Sequence, residues 1–182
     1  MKNILFILGQ LTDRDVEWLA SRGTPRRVPT GTQLFQEGQP LESVFLVLEG
    51  RFSVHAAGAS RLGVTGVGEM LGEMSFIDAA APSADVTAQE ECLVLAIPRK
   101  DLQAHLDSDD GFAARFYRAI AMMLSDRLRG MDTGARGLPR KQGVLEPDEL
   151  DPNVLDSASR ADERFDWMMQ RFKRFKGDRP EG

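Results

Sequence analysis

The chain has a single cysteine, Cys92, among its 182 residues. No disulfide can form within it, which fits a reducing compartment, and a cytoplasmic location is expected. Its two histidines, His55 and His105, lie far apart with no Cys/His cluster around them, so no metal site is expected. Long apolar runs are missing. Near the N-terminus the run Ile4 to Leu8 has five residues, short for a signal-peptide core, and nothing approaches the roughly 20 residues of a membrane-spanning helix. Positive charge is in deficit: 23 Lys+Arg stand against 28 Asp+Glu, a net charge of −5, whereas a chain that grips nucleic-acid phosphates needs a basic face. Two near-motifs fall short. "GVGEMLG" brings its third glycine one residue late for a dinucleotide fingerprint, and "DSDDG" lacks the spacing and later glutamate of a calcium loop. No nucleophile stands with a base, so neither an enzyme nor a cofactor is expected.

What is present changes texture along the chain. "LTDRDVEWLASRG" predicts a short helix capped by Thr12, with Asp13 and Asp15 in its first turn and Gly23 at its end. From Arg26 to Ile97, apolar stretches of about five residues alternate with Gly and Pro turn signals, the pattern of a β-sandwich or barrel. "SVFLVLEG" is apolar on both faces and is predicted to be a central strand. Gly38 and Gly50 stand where tight turns need a positive φ. After Pro98 come a short helix, "RKDLQAHL", and a long one over 111–131, with Asp109 or Asp110 as its cap. Residues 132–159 read as a linker, and 160–176 as an amphipathic tail helix with an acidic front and a basic back.

Taken together, "VPTGTQLFQEGQPLESVFLVLEGRFSV", "GEMLGEMSF" followed by "SADVTA", and the order short helix, strands, long helix resemble the cyclic-nucleotide-binding domain, the sensor module of the bacterial catabolite-activator superfamily and of kinase regulatory subunits. The likeness covers about residues 10 to 131. It implies a mainly β fold with flanking helices: a double-stranded jelly-roll barrel with an N-terminal helix and a long C-terminal helix, over 1–131. It also implies that Gly72, Glu73, Met74, Pro82, Ser83 and Ala84 form a phosphate-binding cassette. In the family, backbone N–H groups at a short helix start and one arginine hold the cyclic phosphate, and the glutamate after the first cassette glycine takes the ribose 2′-hydroxyl. Glu73 matches that glutamate, although it can equally cap the short helix.

The arginine is absent. Its positions carry Pro82 and Ser83, and no Lys or Arg occurs from Leu62 to Pro98. A charged hydrogen bond contributes roughly 1.5–3 kcal/mol, or about one to two decades of affinity. Asp85, if turned to the pocket, adds repulsion. Neither cyclic AMP nor cyclic GMP is therefore an expected ligand. The cradle is expected to survive as architecture, lined by Met70, Leu71, Met74, Phe76, Ile77 and Val86. This expectation rests on the absence of a cation; a basic residue reaching the hollow from the long helix, the tail or a second subunit would fill that vacancy, and the adaptor reading below would fall with it.

The long helix offers a stripe, Phe116, Ile120, Met123, Leu124, Leu128 and Met131, for a homodimer seam or for packing on its own barrel. Fewer than 55 residues follow Gly130, and only one helix is predicted among them, so a DNA-binding module is not expected. The tail carries Phe165, Trp167, Met168, Met169, Phe172 and Phe175, an apolar face that must dock on its own barrel or mate, or in a partner's groove. Its acidic front argues against a membrane surface. The sequence thus points to a bacterial, non-catalytic regulatory or adaptor protein acting through protein contacts. The alternative is a small-molecule or nucleotide sensor with altered specificity.

Overall fold

A computed structural model describes residues 7–56, 63–135 and 152–173, with side chains at 7–56, 63–128 and 159–172. Two four-stranded antiparallel sheets face each other. One has the order β1 (Thr24–Val28), β8 (Cys92–Pro98), β3 (Ser43–Glu49), β6 (Met70–Leu71). The other has β2 (Gln33–Phe35), β7 (Asp85–Ala88), β4 (Phe52–His55), β5 (Gly63–Thr65). This is the expected jelly-roll barrel with helices at its ends. As its two apolar faces require, β3 pairs on both sides, with β8 and β6, and its residues Val44 to Leu48 are all buried.

Alternation along the strands builds two cores. Phe45, Val47, Phe52, Val86, Cys92 and Val94 fill the space between the sheets. Val44, Leu46, Leu48, Leu93, Leu95 and Ile97 face the other way and are covered by helices. The first of these, α1 (Asp13–Arg22), starts with a capping box: Thr12 accepts from the Asp15 N–H, and Asp15 accepts from the Thr12 N–H at 2.7 Å. Asp15 is also held bidentately by Arg115, at 2.7 and 2.9 Å. Burial raises the Asp15 carboxyl, but Arg115 and Thr12 outweigh it and leave the group below its ordinary value.

The remaining helices are α2 (Glu73–Asp78), α3 (Arg99–Ser108), α4 (Asp110–Ala135) and α5 (Pro152–Lys173). Asp109 caps α4, accepting from the Phe112 N–H at 2.8 Å. A chain of rings ties the helices together: Trp18 on His105, His105 on Phe112, Phe112 on Phe116, and Phe116 edge-on to Phe76 of α2.

Burial divides the α4 stripe. Phe116, Ile120 and Met123 are at most 2% exposed and belong to the chain's own core, which removes them from the dimer seam where the sequence had placed them. Their spacing puts them on the side of α4 that faces the barrel. Leu128 is 66% exposed and Leu124 is half-buried. The side chain of Met131 lies outside the described residues.

The tail helix is longer than expected. It begins at Pro152, where a fixed φ and a missing N–H suit the first helical position, so helix reaches into both ends of the expected 132–159 linker. It lies on α1: Ala161, Met168, Met169 and Phe172 are buried in the same core as Ile7, Leu8, Val16 and Leu19, and Arg164 bonds Asp13 at 2.6 Å and the Leu8 carbonyl at 2.9 Å. Phe165 is half-buried and Trp167 is exposed, while Phe175 lies outside the described residues.

Candidate ligand cassette and its long-helix arginine

The cassette is α2 with the loop that follows it. Gly72 enters the helix at φ 80°, the left-handed region that favours glycine; a Cβ there would also press on Leu41 Cδ2 at 2.5 Å, the movable end of a side chain, so the backbone conformation is what requires glycine. Glu73 is the first helical residue and is buried, at 3% exposure. Phe76 turns inward against Phe116, whereas Met74 and Ile77, expected in the apolar lining, are about half exposed at 51% and 47%. In a short helix over the barrel only one side can face the core. Met70, Leu71 and Val86 are buried as expected.

Beyond α2, the Pro82 carbonyl accepts from the Gly38 N–H at 2.8 Å, and the Asp85 carboxylate accepts from the Glu37 N–H at 2.8 Å. Pro82, at one of the two positions for the family's arginine, thus fastens the cassette loop to the turn between β2 and β3. Asp85 is committed to that turn. Ser83 is exposed and Ala84 buried. Arg99, at the start of α3, holds the other side: it donates to the Ser75 carbonyl at 2.6 Å and the Leu41 carbonyl at 3.0 Å, and lies over the Phe76 ring.

A cation does reach the cradle, and it comes from α4. Arg127 Nη1 donates to Glu73 Oε1, while Nη2 donates to the Met70 carbonyl at 3.0 Å and stands 3.8 Å from Glu69 Oε2. The Thr65 hydroxyl donates to the same Glu69 oxygen. This corrects the expectation that no positive side chain serves the hollow. An adaptor role can no longer be inferred from an absent cation; Arg127 is, however, already engaged, its one guanidinium facing two carboxyl groups, as Arg99 is engaged by the carbonyls on the other side. Burial pushes the Glu73 carboxyl above its ordinary value, against the pull of Arg127 and of its own backbone N–H. Glu69 is raised for the same first reason, with Arg127 pulling it down and Glu73 and Asp126 adding to the rise.

Arg127 is not legible from the cassette motif, because it comes from a helix 54 positions further along the chain. A signal existed. The inward stripe Phe116, Ile120, Met123 steps by 4 and 3 residues, and the next step of 4 lands on Arg127. A charge on a buried stripe requires an opposite charge across from it. Among the described residues no group of three or more His, Cys, Asp or Glu could hold a metal ion, and no helix is long and apolar enough to cross a membrane.

Comparison with known proteins places this geometry. Residues 25–109, from the second residue of β1 to just past α3, match the family model described as "Cyclic nucleotide-binding domain". A Mycobacterium tuberculosis protein described as an uncharacterized NTE family protein is 31% identical over 76% of this chain, which spans 23% of that relative. The cyclic AMP receptor protein of Thermus thermophilus is 34% identical over 67% of this chain, which spans 56% of it. A solved cyclic nucleotide-binding domain from Methylobacillus flagellatus superposes with a TM-score of 0.64 at 25% identity, covering 79% of this chain and 87% of that one.

Proposed function

We propose that this chain, whose residues 25–109 match the cyclic nucleotide-binding domain, is a non-catalytic regulatory protein that acts through protein contacts and does not hold cyclic AMP or cyclic GMP. An absent cation no longer supports this reading; what supports it is that Arg127 is engaged by Glu73, the residue that would otherwise take the ribose hydroxyl. A nucleotide arriving there meets a carboxylate pair around a single shared guanidinium, and its phosphate finds no arginine on the cassette loop. Losing that contact removes about one to two decades of affinity. Calorimetry of the intact chain with cyclic AMP and cyclic GMP is expected to give no binding in the micromolar range; a micromolar or tighter dissociation constant would overturn the reading.

A second reading, a sensor of altered specificity, is favoured by the same arginine. An anionic ligand that displaced Glu73 would gain the Arg127 fork and thereby join the cassette to α4. A shift in melting temperature with a member of a nucleotide panel, lost in Arg127→Gln, would support the sensor. A partner that co-purifies without ligand and is retained by Arg127→Gln would support protein contacts.

The contacts proposed for α4 are those of a homodimer, with a revised seam. Tyr117, Ala121, Leu124 and Leu128 follow one another at steps of 4, 3 and 4 residues, the spacing of a coiled-coil seam; Tyr117, Ala121 and Leu128 are exposed, and Leu124 borders the chain's own core. Leu128→Glu is expected to convert the dimer to monomer in light scattering while changing stability by less than about 0.5 kcal/mol, as surface substitutions do.

A further inference from the structure

We propose that the groove between α1 and α5 docks an acidic, extended segment of a protein partner, an inference that deepens the protein-contact part of the reading above. The groove is lined by Arg14, Glu17, Trp18, Ser21, Trp167 and Arg171, and runs on past Arg171 to Thr24, Pro25 and Phe172. Its charge is opposite to that of the protein. The chain carries a net −5, yet the groove presents two arginines against one carboxylate.

Among the described residues Arg14 and Arg171 form no ion pair, and Arg171 lies over the Trp167 ring at 5.6 Å from its centroid. Two guanidinium groups on one groove, open to water, match the spaced carboxylates of an acidic chain. The indoles define the shape of the occupant. Trp18 is stacked on His105 at 4.0 Å, and Arg171 covers a face of Trp167. One face of each indole is thus taken. The exposed part of Trp167, 38% of the residue, suits apolar side chains of a peptide lying across the groove. A membrane surface fits less well, since α1 and α5 turn most of their large apolar residues into the core.

Both tryptophans of the chain line this groove, so tryptophan fluorescence, excited selectively to leave out Tyr117, reports on it. The probe is a synthetic peptide rich in glutamate with interspersed leucine. A saturable change is expected, weakened by salt, absent with a lysine-rich peptide, and requiring at least roughly tenfold more peptide in Arg14→Glu/Arg171→Glu. Both arginines are exposed, so the fold is retained; Arg14→Gln/Arg171→Gln is expected to weaken binding less than the reversal. The proposal is overturned by any of three results: no saturable change, an unaltered titration in the reversed variant, or the same change with inorganic phosphate alone or with phosphatidylserine vesicles in place of the peptide. Arg127→Gln is expected to leave this titration unchanged, which keeps its outcome separate from that of the nucleotide experiment.

Discussion

Phe116→Ala is expected to lower the stability of the folded chain by about 3–5 kcal/mol, the range for a large aromatic side chain deleted from a packed core. Phe116 is 0% exposed and packs between Phe112 on its own helix and Phe76 on the cassette helix. The cavity would open where the cassette helix, the long helix and the barrel meet, so little collapse is available to fill it. Urea unfolding followed by circular dichroism measures the loss. The paired variant is Leu128→Glu, which is expected to abolish association at nearly unchanged stability. If Phe116→Ala dissociated a dimer but left the unfolding midpoint in place, the assignment of Phe116 to the core would be wrong.

Arg127→Ala is expected to cost about 3 kcal/mol near neutral pH, at the lower end of the range for removing one partner of a buried ion pair. Glu73, with a side chain 4% exposed, would be left without its guanidinium and Glu69 would lose its neighbour. The loss should depend on pH in a definite direction. Burial raises both carboxyls in the folded state, so the stability they contribute is fully present below their ordinary range and is lost as pH rises through the raised values. Removing Arg127 raises them further. The deficit of Arg127→Ala should therefore be large near neutral pH and shrink as Glu73 takes up a proton in mildly acidic solution. Asp15 runs the other way: its lowered carboxyl contributes stability that is lost only as pH falls through its folded value, so pairs of curves for wild type and variant must be compared at each pH. Arg127→Met/Glu73→Gln, which removes the charge together with its partner, is expected to recover much of the loss. A pH-independent deficit under about 0.5 kcal/mol would show that the pair is ordinary surface electrostatics.

Much of the fold was legible because the signals are local. The capping box at Thr12 and Asp15 follows from residue types three apart. The doubly apolar run of β3 predicted a strand paired on both sides, and Gly38 and Gly50 have the positive φ that their turns require. The cassette was legible as a motif, and its missing arginine as a fact of composition. The same local method misplaced Met74 and Ile77, because the apolar character of a short helix does not say which of its sides meets the barrel. It also put Phe116 and Leu128 in one stripe, although α4 buries the first and exposes the second.

By itself the sequence determined the order of helices and strands, their caps and turns, and a cradle with no cation of its own. Those are consequences of backbone geometry and side-chain periods, which act over a few residues. Only the tertiary structure decided what stands across from what. It brought Arg127 to Glu73 across 54 positions of sequence, divided the long helix into a core face and a free face, and set two tryptophans and two arginines from opposite ends of the chain along one groove. A charge or an apolar face is written in the residue, but its partner is chosen by how elements remote in sequence pack to bury the most surface and leave the fewest charges alone.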